Sequence, residues 1–173
     1  MPRWIYALLI ALVTMALRLP ASQPVLDAAG RVWRDATACP VTQPGNPPYT
    51  PADGVARRLP EGMFWHGTDA LWTMLTLDAT WTDLPHTSNG YTQKLVWWRA
   101  GYNFRDEQRP DLVVTGRRLD ADASFVAGAA TNGYHEDYGS FMLVGVDIPT
   151  PGCWEITAHY RDEMLSYVVR VAP

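Results

Sequence analysis

Charged residues, and basic ones in particular, are scarce in this sequence. Asp, Glu, Lys and Arg make up 18% of the 173 residues, the formal net charge is −4, and no run rich in Lys or Arg occurs. A nucleic-acid-binding function is therefore not expected, because it needs a basic surface to contact phosphates. Hydrophobic residues make up 47% of the chain, and eight residues are Trp. This composition predicts one globular domain with a sizeable core and excludes a chain that is disordered throughout.

The sequence also lacks a hydrophobic run long enough to cross a bilayer. Its longest uncharged apolar stretch, Trp4 to Leu17, covers 14 residues, whereas a spanning helix needs about 20. Arg3 precedes this stretch and small or helix-breaking residues follow it at 20–22, so residues 1–22 are typical of a secretory signal peptide. An uncleaved membrane anchor is the alternative, and it would be the only expected membrane contact. We expect a secreted, periplasmic or cell-surface protein.

Cysteine is nearly absent, since Cys39 and Cys153 are the only two. An even pair of cysteines in an exported chain favours a disulfide. The two lie 114 positions apart, and closing a loop of that length is worth about 4 to 5 kcal/mol in the chain-entropy model. Two cysteines are too few for a structural zinc site, and the four histidines show no metal-ligand spacing. We therefore expect neither a metal nor a cofactor.

Residues 23–62 lack any regular hydrophobic pattern. Prolines recur in this segment from Pro40 to Pro60, with Gly45 and Gly54 between them. Proline removes backbone donors and breaks helices, so neither a helix nor a central strand is expected here. We interpret the segment as an extended, Pro-rich arm, with a disordered spacer as the alternative. A disulfide from Cys39 would fasten the start of the arm to the folded domain.

No pattern of a long amphipathic helix follows the arm, and short strand-like runs alternate with turn residues up to the end of the chain. The clearest signal is a terminal β-hairpin, in which Trp154, Ile156, Ala158 and Tyr160 share one face of a strand and Cys153 lies on the other. We therefore expect the disulfide to pin the arm across the outside of a sheet. The predicted strands cover residues 71–77 (where a short helix is the alternative), 92–100, 111–119, 124–130, 140–148, 153–160 and 164–171.

These runs predict an all-β fold over residues 63–173. About seven strands separated by Gly, Pro and Asn turns are typical of an antiparallel β-sandwich. A small barrel is the alternative, because strand counting cannot distinguish closure from two packed sheets.

Two parts of this domain resemble known proteins. The segment from Pro149 to Thr157, followed by Leu165 to Val169, resembles the closing hairpin of exported bacterial immunoglobulin-like domains. Residues 64–72 and 94–99 are similar to uncharacterised secreted or lipoprotein-like bacterial proteins of this type. The resemblance covers residues 63–173 and implies an immunoglobulin-like β-sandwich and export, but it carries no catalytic or ligand-binding residues. A cysteine at the end of the signal, which lipid-anchored members have, is missing here.

The sequence has little that indicates catalysis. It lacks the Gly-x-Ser-x-Gly motif of a strained nucleophile turn. His135, Glu136 and Asp137 form the one function-like cluster of titratable residues, and two interpretations stay open. They form either a solvated polar turn or the site of a small secreted hydrolase.

Aromatic residues suggest binding instead. Tryptophans and tyrosines cluster between residues 65 and 102, and they either fill the core or form a platform that stacks on a ligand. We take Trp65, Trp72, Trp97 and Trp98 as candidate contacts. Trp97 and Trp98 are adjacent in a strand, so one of them should point away from the core. The expected function is a non-catalytic, binding or adhesion-like module at the bacterial cell surface, with a carbohydrate or a cell-envelope protein as partner.

Overall fold

The computed structural model describes residues 38–52 and 59–173. The predicted signal peptide at 1–22 and part of the predicted arm lie outside these residues. The described residues form eleven strands and no helix, and so include no helix able to cross a membrane. The strands are Met63–Thr68 (β1), Leu71–Thr76 (β2), Thr80–Trp81 (β3), His86–Thr87 (β4), Gly90–Trp98 (β5), Leu112–Arg118 (β6), Ser124–Val126 (β7), Thr131–His135 (β8), Gly139–Ile148 (β9), Gly152–Tyr160 (β10) and Glu163–Val171 (β11).

The strands form two sheets. The first has the order β1-β2-β5-β9-β8, with β4 also paired to β5, and the second has the order β3-β11-β10-β6-β7. Among the strands of the described residues, only β3 and β11 pair in parallel. Trp97 of the first sheet and Trp154 and Ile156 of the second are fully buried in one shared core. The architecture is therefore all-β with two sheets over a common core, which agrees with a β-sandwich rather than a single closed barrel.

The terminal hairpin forms as predicted. β10 and β11 pair without interruption from Gly152 opposite Val171 to Tyr160 opposite Glu163. The side chains at alternate positions of β10, from Trp154 to Tyr160, are all buried in the core. The turn contains Arg161 with a φ of 55°, a left-handed conformation that non-glycine residues adopt at some cost.

The Cys39–Cys153 disulfide joins the arm to the second sheet. Cys153 lies on the face of β10 opposite its core residues, as expected for a bridge on the outside of the sheet. The arm then pairs with the edge of β11, where Thr42 N donates to Val168 O and Val168 N donates to Thr42 Oγ1, both at 2.8 Å. Further on, Tyr49 forms an isolated bridge with Trp65 of β1. The described part of the arm thus contacts β1, an edge strand of the first sheet, and the part of β11 in the second sheet that β3 does not pair with.

Four strands, β1, β3, β4 and β8, were not predicted from the sequence. Residues 71–76 form a strand and not the alternative helix. Two of the four, β3 and β4, have only two residues each, which is too short for a visible alternation. The pair Asn132 and Gly133 is typical of a turn, but both residues lie inside β8. A Cβ at Gly133 would lie 2.6 Å from the Phe141 ring on β9, so glycine is needed there to let the ring cover the strand.

Candidate functional site

Three of the four candidate tryptophans meet on the outer face of the first sheet. Trp72 of β2 lies opposite Trp98 of β5, and the rings of Trp65 and Trp98 pack edge-to-face with centroids 5.2 Å apart. We call Trp65, Trp72 and Trp98 the outer aromatic cluster. Trp97 points the other way, into the core between the sheets. Adjacent strand residues thus face opposite sides, as the sequence predicted.

None of the four offers an exposed ring, because other residues cover the outer aromatic cluster. All four are between 0% and 4% exposed. Tyr49 and Leu59 of the arm pack on one side of the cluster, and Tyr138 and Phe141 pack on the other. Trp98 Nε1 donates a hydrogen bond to Tyr138 O at 3.0 Å. Trp98 therefore points away from the main core, as expected of one of the pair, but forms a second, smaller core.

A carboxylate in the turn before β2 contributes to holding the arm over this cluster. Asp69, in the turn between β1 and β2, accepts hydrogen bonds from Tyr49 Oη at 2.9 Å and from Ala52 N at 3.2 Å. Tyr49 also packs edge-on against Trp72, with centroids 6.5 Å apart. Asp69 thus fixes the part of the arm that covers the aromatic rings.

An exposed aromatic surface does occur at the other edge of the first sheet. Tyr134 of the edge strand β8 is 60% exposed, and its ring packs on Phe104 with centroids 5.6 Å apart and planes tilted by 32°. The Arg105 guanidinium lies 5.4 Å from the centre of the Phe104 ring, within the range of a cation–π contact. We call Phe104, Arg105 and Tyr134 the edge platform.

The platform depends on how the loop before β6 is held against β8. Asn132 Nδ2 donates to Phe104 O at 2.6 Å and to Glu107 O at 2.9 Å, which fixes this loop to the edge strand. Tyr102 Oη donates to the same Glu107 carbonyl at 2.9 Å, and burial raises the pKa of this hydroxyl. The platform could not be predicted from the sequence, because Phe104 and Tyr134 lie about 30 positions apart. Both lie in stretches that were not predicted as strands.

His135 ends β8, and Glu136 and Asp137 follow it in the exposed turn before β9. Asp137 N donates to His135 Nδ1 at 3.1 Å, so this ring nitrogen acts as an acceptor. The ring of His135 packs on Tyr138, with centroids 5.0 Å apart. Within the described ranges no group of three His, Cys, Asp or Glu residues is arranged to hold a metal ion. The three side chains are thus brought together in an open polar turn.

Comparisons with protein-family models, with curated proteins and with solved structures found no match.

Proposed function

We propose that the protein is an exported, non-catalytic immunoglobulin-like β-sandwich module that binds a carbohydrate at the bacterial cell surface. The edge platform is the observation that carries this proposal. A Cys39–Cys153 disulfide is also compatible with an oxidising, extracytoplasmic location. The resemblance of the terminal hairpin to exported immunoglobulin-like domains supports the fold type.

The chemistry of the platform suits a sugar. One side of the Tyr134 ring packs on Phe104, and the exposed remainder offers a flat apolar surface. Sugar rings present C–H groups on one face and hydroxyls at the rim, so they can stack on an aromatic ring while donors bind the rim. Arg105, which lies over the Phe104 ring of the same platform, supplies such donors. A carbohydrate therefore fits better than a purely apolar partner.

A glycan array and purified cell-wall polysaccharides test this proposal on the mature, oxidised chain. We expect saturable binding by the wild type and a loss of about tenfold or more for Tyr134→Ala, since anchoring aromatics carry much of the binding energy. Val126→Ala is the matched control, because Val126 is 75% exposed on the short strand β7. No binding to any glycan, or unchanged binding by Tyr134→Ala, would refute a carbohydrate site at the edge platform.

The alternative site for the same carbohydrate-binding function is the outer aromatic cluster. A ligand would reach Trp65, Trp72 or Trp98 only after the arm had left the cluster. Asp69→Ala removes the carboxylate that holds the arm, so tighter glycan binding by this variant than by the wild type would place the site at the tryptophans. Unchanged binding would exclude them.

A further inference from the structure

The first sheet is split between β2 and β5. The two strands pair only through Trp72 opposite Trp98 and Thr73 opposite Trp97, although β2 continues to Thr76. Beyond the split, side chains replace the missing sheet hydrogen bonds. Thr73 Oγ1 donates to Val96 O at 2.7 Å, and Gln93 Oε1 accepts from Lys94 N at 2.9 Å. The sheet edges at the split are thus capped locally, which disfavours the insertion of another strand.

A cleft of about 150 Å³ opens at this split and reaches the core. Its walls are Thr73, Met74 and Thr76 on β2 and the residues 93–96 on β5. Trp81 and Tyr167 of the second sheet also line it. Cavities of about this volume hold one benzene-sized molecule. Leu95 and Trp81 give the cleft an apolar lining, which favours a ring-sized apolar group.

Tyr167 supplies a polar group inside this apolar surrounding. Its side chain is 2% exposed, and its hydroxyl makes no hydrogen bond within residues 38–52 and 59–173. Burial raises the pKa of this hydroxyl, so it stays protonated. Among the described residues, Trp97 Nε1 is the fully buried side-chain atom without a partner. The Tyr167 hydroxyl is not fully enclosed in this way, and Tyr167 lines the cleft. A ligand atom in the cleft can therefore reach this hydroxyl and hydrogen-bond with it.

Lys94 adds a positive charge on the open side of the cleft. Its side chain is exposed and lines the cleft, and none of the ion pairs among the described residues includes it. A carboxylate of the ligand would keep its hydration at this open end and would be attracted to Lys94. At the buried end of the cleft, a charged group would lose its hydration. Polarity thus increases from the core outward.

We propose that this β2–β5 cleft binds a small aromatic carboxylate that carries a hydroxyl group, with the hydroxyl hydrogen-bonded to Tyr167 and the carboxylate near Lys94. The site is separate from the edge platform, and the inference does not rest on the carbohydrate proposal. The residues that recognise this ligand lie on three strands, β5, β3 and β11, and two of these belong to the second sheet.

Titration with 4-hydroxybenzoate, followed by NMR chemical-shift changes, tests the proposal on the oxidised chain. We expect saturable binding with a Kd of about 1 mM or tighter. Tyr167→Phe should weaken it about tenfold without lowering Tm, because the hydroxyl has no partner to lose in the free protein. Lys94→Gln should weaken binding severalfold and reduce its salt dependence. Tyr91→Phe is the matched control, because Tyr91 lies on β5 but does not line the cleft, and it should bind like the wild type.

Benzoate, which lacks the hydroxyl of 4-hydroxybenzoate, tests the contribution of that hydroxyl to binding without changing the protein. It should bind the wild type about tenfold more weakly than 4-hydroxybenzoate, and both compounds should bind Tyr167→Phe equally. No saturable binding of 4-hydroxybenzoate at 10 mM, about ten times the expected Kd, would overturn the proposal. Equal binding of the two compounds to the wild type would also overturn it, because it would mean that the Tyr167 hydroxyl does not recognise the ligand.

Discussion

The Tyr160 hydroxyl donates a hydrogen bond to the Glu107 carboxylate at 2.5 Å, although the two residues lie 53 positions apart in the sequence. The same carboxylate oxygen accepts from Arg161 at 3.1 Å. Burial, and next the hydrogen bond to Glu107, raise the pKa of Tyr160. Glu107 therefore ties the loop before β6 to the turn end of the terminal hairpin. Because this loop carries Phe104, the edge platform depends on a contact outside it.

We expect Glu107→Ala to lower the free energy of unfolding by about 1 to 3 kcal/mol, since it leaves the mostly buried Tyr160 hydroxyl without its acceptor. It should also weaken glycan binding at the edge platform, by releasing Phe104. Urea denaturation and glycan titration measure the two effects. Glu136→Ala, in the exposed turn after β8, is the control and should change stability by less than about 0.5 kcal/mol. Equal stability of the two variants would mean that Glu107 does not anchor the loop.

Asp69→Ala should loosen the arm without unfolding the sandwich. The substitution removes the acceptor of Tyr49 Oη and Ala52 N, so proteases should cleave the arm between residues 43 and 62 faster, and tryptophan fluorescence should shift to the red. Limited proteolysis with mass spectrometry measures the cleavage sites. Asp147→Ala is a suitable control, because Asp147 is exposed on β9. Equal cleavage of both variants would contradict a clamping role for Asp69.

The disulfide should contribute strongly to stability. Its loop spans 114 positions, for which the chain-entropy model gives about 4 to 5 kcal/mol. We expect the double variant Cys39→Ser, Cys153→Ser to show a lower urea midpoint than the oxidised wild type. Reduction and alkylation followed by intact-mass measurement should count one bridge and no free thiol before reduction. A free thiol in the native protein would contradict the pairing.

The stability should fall in acid partly through Asp120. A hydrogen bond from Arg118 Nε at 2.7 Å, aided by Cys153 N at 3.3 Å, lowers the pKa of this carboxyl below its ordinary value of 3.8. Since the folded-state pKa is lower than the unfolded one, ionised Asp120 stabilises the fold above pH 3.8 and this contribution disappears as the pH falls through the folded-state value.

Urea denaturation of the wild type and of Asp120→Asn at neutral pH and near pH 2.5 measures this contribution. The difference in unfolding free energy should be present at neutral pH and shrink in acid. Asp147→Asn should show no such pH-dependent difference from the wild type. A difference for Asp120→Asn that is the same at both pH values would contradict an ionised role for Asp120.

Much of the second sheet could be predicted from the sequence, because its strands alternate regularly. In the terminal hairpin the apolar residues occupy every second position, and the structure buries them as predicted. The outward position of Cys153 follows from the same alternation. The two-sheet architecture was predictable for this reason, although eleven strands form in the described residues where about seven were expected.

The surfaces available for binding could not be predicted in the same way. Alternation shows that Trp97 and Trp98 face opposite sides, but it does not show that the arm and Tyr138 cover Trp98. The edge platform and the β2–β5 cleft join residues from distant segments, and their geometry depends on long-range pairing. Phe104 also lies in an irregular loop, for which the sequence has no periodic signal.

The hydrogen bonds between Thr42 and Val168 have a consequence for solubility. The outer edge of β11 would otherwise offer unpaired backbone groups to a strand of another molecule. Thr42 occupies this edge at Val168, His66 Nε2 contacts Ser166 O at 3.0 Å, and Arg170 N donates to Ala79 O at 2.9 Å. Because the Cys39–Cys153 disulfide holds the start of the arm on the second sheet, Thr42 stays close to this edge and protects it against intermolecular β-sheet aggregation.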